Sequence, residues 1–144
     1  MNGTYEEPLV FLTAKEWKGW LTENGPSASE AWLVIKKKRA EIPGITYDEA
    51  LDIALCFGWI DGKMHSRDAH TFLQRFSPRR KNSPWSLINR QKAESLIEQG
   101  SMTESGFEKI EEAKQNGRWQ SAYTSKKTPE VPEELIAALK MDPE

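Results

Sequence analysis

The sequence predicts an α+β fold in which about five helices pack around a small antiparallel sheet. Two patterns predict this class. Ser or Thr caps followed by apolar residues at helical spacing mark the helix starts. Residues 59–77 instead alternate apolar and polar side chains, as β-strands do. With 144 residues, the chain is long enough to bury one hydrophobic core without disulfides or metals.

The first predicted helix has a strong start signal and a clear stop. Thr13 is the predicted N-cap, and Glu16 stands at the position that completes a capping box. Leu12 and Trp17 occupy the two positions of a hydrophobic staple around that cap. Gly25 follows the last apolar residue of the helical pattern and is expected to end the helix.

A buried strand and a second helix follow. Residues 32–35 form a short apolar run with β-branched side chains, which predicts a buried strand leading into the four basic residues 36–39. Thr46 and Glu49 form a second potential capping box. The helix that they open is expected to stop at Gly58 and to be central, because few of its residues are polar.

The alternating segment predicts a β-hairpin. Residues 59–67 and 70–77 each alternate, and a turn is expected at Asp68 and the following alanine. Strict alternation would place Ile60 and Met64 on the same side of the first strand.

The C-terminal part contains three further predicted helices. Ser83 is the predicted cap of the first, with Pro84 at its first position. Thr103 is expected to cap the second. The third is a short amphipathic helix at 132–140, which follows an exposed linker.

Composition limits the protein classes to consider. We expect a single domain over residues 1–120, followed by a linker and the short helix over 121–144. The single cysteine excludes an internal disulfide framework and fits a reducing compartment. The N-terminus lacks a signal-peptide pattern, and no apolar run approaches the roughly 20 residues of a membrane span. These features predict a soluble, cytoplasmic protein that does not insert into a membrane.

Charge is distributed unevenly although the formal net charge is only -2. Residues 61–92 contain eight basic residues and two acids, whereas residues 93–117 contain two lysines and six glutamates. One part of the surface is therefore expected to attract anions and another to repel them.

The basic segment predicts an anion-binding surface at the start of the Ser83 helix. Helix starts present unpaired N–H groups and a partial positive charge, which suit a phosphate or a carboxylate. Trp59 and Trp85 would supply apolar contacts, and Asp61 would hold a hairpin cation in place. In the alternative interpretation, Ser83 only caps, Trp85 only packs, and the basic run is a solvated loop. The candidate ligand-binding residues are Arg75, Arg79, Arg80, Ser83, Trp85, Ser86, Trp59 and Asp61.

Catalysis has weaker support, so we lean towards a non-enzymatic protein. Cys56 lies in an apolar helix, where a buried and inert thiol is expected. Asp61 fits a structural ion pair better than a catalytic carboxylate. His65 and His70 lack companion cysteines for zinc, and no nucleotide or dinucleotide motif is present. We therefore predict no cofactor and no metal site.

Nucleic-acid binding is a further alternative. Residues 36–39 would extend the basic surface if they lie beside the hairpin, and exposed aromatic rings would stack on bases. The protein is not basic overall, however, and no nucleic-acid-binding motif is found, which disfavours this alternative.

Three motifs carry a family resemblance: FGWIDG at 57–62, QRFSPRR at 74–80 and the Ser-Pro-Trp-Ser of 83–86. With them the chain resembles the bacterial YdeI/OmpD-associated family, described as bacteriocin-protection proteins. Longer members continue into a basic helical region, so this chain is expected to be their N-terminal module without most of that region. The family's signature positions correspond to Gly58, Trp59, Asp61, Gly62, Arg75, Pro78, Arg79, Arg80, Trp85 and Ser86.

These observations lead to one functional hypothesis and two alternatives. The hypothesis is a non-catalytic binder of a small anionic molecule through the basic hairpin and helix start. The resemblance adds an implied link to resistance against bacteriocins or antimicrobial peptides. The first alternative is an interaction module for an acidic protein partner in envelope stress. The second is a small enzyme using Asp61 or Cys56.

Overall fold

The computed structural model describes residues 3–122 and has an α+β architecture, which confirms the predicted class. A three-stranded antiparallel sheet is combined with four helices in this part of the chain. The elements follow in the order α1 (Ala14–Asn24), β1 (Ala31–Lys36), α2 (Tyr47–Cys56), β2 (Trp59–Ser66), β3 (Thr71–Pro78), α3 (Leu87–Glu98) and α4 (Glu104–Gln115).

Helices α1 and α2 begin at their predicted caps. The Thr13 side chain accepts a hydrogen bond from Glu16 N at 3.3 Å, but the Glu16 carboxylate accepts one from Leu12 N at 2.7 Å instead of Thr13 N, so the predicted capping box is not complete at α1. At α2 the capping box is complete: Thr46 N donates to Glu49 at 3.0 Å, and Glu49 N donates to the Thr46 hydroxyl at 3.2 Å. Both starts were predictable because cap contacts are local in sequence.

The sheet has the strand order β1-β3-β2, so the predicted hairpin forms its central and one outer strand. The N-terminal segment lies along the other side of β1. There Leu9 N donates to Trp32 O at 2.8 Å, and Val34 N donates to Leu9 O at 2.9 Å. Strand β3 lies between β1 and β2 and is hydrogen-bonded to both, which fixes the direction of its side chains.

A β-bulge in β2 corrects the predicted alternation. The register against β3 shifts between Asp61 and Met64, where β2 contains one extra residue. The buried Gln74 side chain stabilises the bulge by donating to Gly62 O at 2.9 Å. Because of the extra residue, Ile60 and Met64 lie on opposite faces, and Met64 is 54% exposed.

The main hydrophobic core joins the helices to one face of the sheet. Trp17 is completely buried, and its indole Nε1 donates to Ala50 O at 3.0 Å. Its ring packs against Phe76 of β3, with centroids 5.6 Å apart. On the opposite face of the sheet, a second and smaller buried cluster contains Trp32, Val34 and Leu73.

The start of α3 differs from the prediction. Its N-cap is Ser86, whose hydroxyl accepts from Asn89 N at 3.1 Å. Ser83, the predicted cap, instead accepts a hydrogen bond from Arg80 N at 3.0 Å within the preceding turn. The helix therefore begins three residues later than expected.

Four of the roughly five predicted helices are present between residues 3 and 122. The fifth, placed at 132–140, lies outside the described residues, as does nearly all of the predicted linker. Among the described helices, none is both long and apolar enough to cross a membrane.

Candidate functional site

The predicted site residues occupy separate places around the sheet. Arg75 lies in the middle of β3, and its Nε donates to Glu30 Oε1 at 2.8 Å. Both side chains are about one-third exposed. This ion pair joins β3 to the residue before β1, so it also has a structural role.

The segment 79–86, which we call the arginine loop, uses most of its predicted ligand groups internally. Arg79 is only 5% exposed, and its guanidinium carbon lies 3.8 Å from the Trp85 ring centroid. Its Nη2 also donates to Pro84 O at 2.7 Å. These contacts hold the chain in a non-helical path up to Ser86, which explains why α3 does not begin at Ser83.

Only two basic side chains of the arginine loop are exposed, those of Arg80 and Lys81. Trp85 is 3% exposed and packs edge-on against Trp119. Of the alternatives left open by the sequence, packing of Trp85 is therefore observed. Its burial leaves little ring surface for a ligand.

Trp59 and Asp61 lie towards the helices. Trp59 is 2% exposed and meets Trp17 and Trp20 edge-on. Asp61 accepts a hydrogen bond from the Tyr47 hydroxyl, which joins β2 to α2. The predicted partner, a cation of the hairpin, is wrong because Asp61 lies on the α2 side of the sheet, whereas Arg75 points to the other face.

A second basic cluster lies at the opposite end of β3. We call it the basic tip and define it as Lys37, Lys38, Arg39, Arg67 and His70. Lys37 N donates to His70 O at 2.9 Å, so the loop after β1 lies beside the β2–β3 turn. The adjacency considered for residues 36–39 and the hairpin is thus observed.

The turn at the basic tip is held by Asp68. Its carboxylate accepts hydrogen bonds from His70 N and Thr71 N, both at 2.8 Å, and from the Thr71 hydroxyl at 2.9 Å. These hydrogen bonds, led by that from His70 N, lower the pKa of Asp68. Arg67 Nη1 donates to Asp68 at 3.0 Å and to the Thr71 hydroxyl at 2.9 Å, so this guanidinium has a defined position.

The other cations of the basic tip remain available. Lys37, Lys38 and Arg39 are exposed, and they form no ion pair with any residue between 3 and 122. From the sequence alone, these residues are predicted only to extend the basic surface. The sequence feature that could have identified them is a run of four basic residues directly after a predicted buried strand.

The basic tip and the arginine loop are two surfaces rather than one. Strand β3 spans Thr71–Pro78, and at about 3.4 Å per residue its ends are roughly 24 Å apart. Lys37 lies beside one end, and Arg80 follows the other. A small anion therefore cannot contact both clusters.

Cys56 is buried as predicted, with 3% of its surface exposed. Burial raises the pKa of its thiol to about 11, and nearby Asp52 contributes in the same direction. At neutral pH the thiol is protonated, which disfavours a nucleophilic role. In the part of the chain that the structure covers, no group of three His, Cys, Asp or Glu residues could hold a metal ion.

Comparison with known proteins identifies a family but not an activity. No curated protein and no solved structure matches the chain. A family model described as a domain of unknown function (DUF8412) matches residues 9–109, which include all of the sheet and most of the helices. The chain therefore belongs to the DUF8412 family.

Proposed function

We propose that this protein is a non-catalytic binder of an anionic ligand, and that the ligand binds at the basic tip. The main support is that two segments distant in sequence bring exposed cations together there. Lys38 and Arg39 come from the loop after β1, and Arg67 is the first residue after β2. Phosphate and carboxylate groups are the natural partners of such clusters.

The geometry also favours one mode of binding. Arg67, whose Nη1 is bonded to Asp68 and Thr71, would orient the anionic group with its remaining N–H groups, while the flexible Lys38 and Arg39 side chains would close around it. All of these groups are exposed, so screening by salt should weaken binding. The arginine loop offers fewer cations to a ligand, because Arg79 is committed to Trp85 and Pro84 and only Arg80 and Lys81 are exposed there.

The proposal can be tested with two variants that remove the same charges from opposite ends of β3. K38A/R39A removes one lysine and one arginine from the basic tip, and R80A/K81A removes the same pair from the arginine loop. All four side chains are exposed, so neither variant should disturb the core. Thermal unfolding of each protein is measured with tripolyphosphate, citrate and a short oligonucleotide.

At a ligand concentration 100 times the dissociation constant, the wild type should gain about 2.7 kcal/mol of stability. R80A/K81A should retain this gain, and K38A/R39A should lose most of it. Equal losses in both variants would indicate non-specific attraction. A loss confined to R80A/K81A would move the site to the arginine loop and contradict the proposal.

An acidic protein partner is a second candidate for the same surface. Two depressions on the described surface are lined by other parts of the fold, and neither includes a residue of the basic tip. An open basic surface suits an extended acidic segment as well as a small anion. Retention of an acidic partner by the wild type and R80A/K81A, but not by K38A/R39A, would support this candidate.

The link to bacteriocin protection, implied by the YdeI/OmpD-associated resemblance, stays a prediction. If anion binding underlies such a role, a bacterial strain carrying K38A/R39A should lose protection, whereas R80A/K81A should keep it. Survival curves against a cationic antimicrobial peptide would provide the measurement.

A further inference from the structure

A crevice of about 480 Å³ lies between the end of α1 and the start of α4. Its apolar floor is formed where α2 meets β2, by Phe57 and Trp59, with Pro78 of β3 beside them. Two of its acidic residues, Glu104 and Glu108, belong to the glutamate-rich stretch 93–117 that the sequence marks as an anion-repelling part of the surface. The lining residues at its polar mouth are Thr22, Thr103, Glu104, Ser105, Glu108 and Lys109.

The start of α4 is firmly anchored at this crevice. The Thr103 hydroxyl donates to Cys56 O at 2.5 Å, and Thr103 N donates to the same oxygen at 3.1 Å. Gly58 has a φ of +79°, and a Cβ atom there would lie 2.7 Å from Lys109 Cγ. Glycine thus permits both the turn and the close approach of α4, and the crevice has a preformed wall.

The floor offers the half-buried ring of Phe57 for apolar contact and the indole N–H of Trp59 as a hydrogen-bond donor. Trp59 lines the crevice and is 2% exposed. Its indole N–H makes no hydrogen bond with any residue in the described range, unlike that of Trp17, which is bonded to Ala50. A ligand with an apolar group and a carbonyl acceptor would complement this floor.

The mouth of the crevice is acidic. Glu104 and Glu108 are exposed, lie one turn apart on α4, and form no ion pair within the described residues. Lys109, the basic residue of the lining, lies 3.8 Å from Glu112. The two free carboxylates therefore dominate the charge that a ligand would meet.

The acidic surface continues along α4 beyond the crevice. A shallower groove of about 340 Å³ shares Glu104 and Glu108 with the crevice. It continues along Phe107, which is 44% exposed, and Glu111. Because the crevice and the groove share Glu104 and Glu108, an extended peptide segment can contact both.

We propose that the crevice binds a cationic peptide segment. An apolar side chain of the peptide enters against the half-buried ring of Phe57, and the flanking basic side chains pair with Glu104 and Glu108. The Trp59 indole N–H donates to a peptide carbonyl. This site takes ligands of the charge opposite to those proposed for the basic tip, so the two proposals stand independently.

The test uses the fluorescein-labelled hexapeptide Lys-Leu-Lys-Lys-Leu-Lys and measures fluorescence anisotropy with the full chain. The matched peptide Lys-Ser-Lys-Lys-Ser-Lys keeps the charge and removes the apolar groups. E104Q/E108Q should weaken binding of the leucine peptide roughly tenfold, as expected for two exposed charge pairs. The control E41Q/E98Q removes two exposed carboxylates elsewhere and should leave binding unchanged.

A second variant tests the apolar part of the site. Thr22→Phe places a ring at the crevice wall, on an exposed position of α1, and should block the leucine peptide without unfolding the protein. Equal binding of the leucine and serine peptides would overturn the proposal, as would equal losses in E104Q/E108Q and E41Q/E98Q. A dimer of this chain that dissociates on E104Q/E108Q substitution would assign the crevice to a second copy instead.

Discussion

The two ends of β3 are both rich in basic residues, but they use them differently. At the arginine loop, Arg79 is buried, stacked on Trp85 and hydrogen-bonded to Pro84. At the basic tip, Lys38 and Arg39 remain exposed and form no ion pair with described residues. Density of charge along a sequence therefore does not identify the charges that are free to bind a ligand.

The difference follows from the cost of burying a cation. A guanidinium removed from water must regain its interactions from the protein, and Arg79 does so from an aromatic face and a carbonyl. Removing Arg79 would also leave the Trp85 ring and the Pro84 carbonyl without this contact. Arg79 therefore stabilises the fold. An exposed lysine gains little from folding, and its charge stays available.

The largest effect that separates the two ends is expected for Arg79→Ala. The substitution removes a buried cation–π contact and a charged hydrogen bond, and it should reduce the free energy of unfolding by about 3 kcal/mol. Arg80→Ala, at the next position but exposed, should change it by less than about 0.5 kcal/mol. Urea unfolding of both variants provides the measurement.

Arg79→Lys completes this experiment because it keeps the charge. Lysine lacks the planar group that stacks on Trp85 and reaches the Pro84 carbonyl. Arg79→Lys should therefore still lose much of the unfolding free energy that Arg79→Ala loses. If Arg79→Ala were as stable as Arg80→Ala, the assignment of a structural role to Arg79 would be wrong.

A smaller effect is expected from the acid titration of Asp68 at the basic tip. Its pKa is lowered by hydrogen bonds that exist only in the folded protein. The stabilisation is therefore present above the unfolded-state value of 3.8 and is lost as the pH falls through the folded-state pKa. The stability difference between the wild type and Asp68→Ala should narrow between pH 6 and pH 3.

The difference in stability between the wild type and Arg80→Ala should not change with pH in this range, because this substitution removes no carboxylate. A gap for Asp68→Ala that stays constant across this pH range would show that the Asp68 hydrogen bonds do not stabilise the turn.

The features that the sequence predicts well are those determined by neighbouring residues. Thr13 and Thr46 cap their helices through contacts three residues away, and alternation in 59–77 indicates the hairpin. The burial of Cys56 follows from its apolar neighbours. The α+β class could therefore be predicted from local patterns alone.

Other features depend on contacts between distant elements, so the sequence did not predict them. The carboxylate of Asp61 pairs with Tyr47 of α2, and its side of the sheet is known only once the strands are paired. The start of α3 moved to Ser86 because Arg79 and Trp85 hold the preceding residues. The crevice at Trp59 exists only because α1 and α4 meet the same strand end.

Anion binding at the basic tip can be observed by a two-dimensional ¹⁵N NMR titration with tripolyphosphate. Saturable chemical-shift changes are expected at residues 37–39 and 67–70, and the arginine loop at 79–86 should remain unchanged. These changes should disappear in K38A/R39A and persist in R80A/K81A. Changes centred on the arginine loop, or no saturable change at either end of β3, would contradict the account.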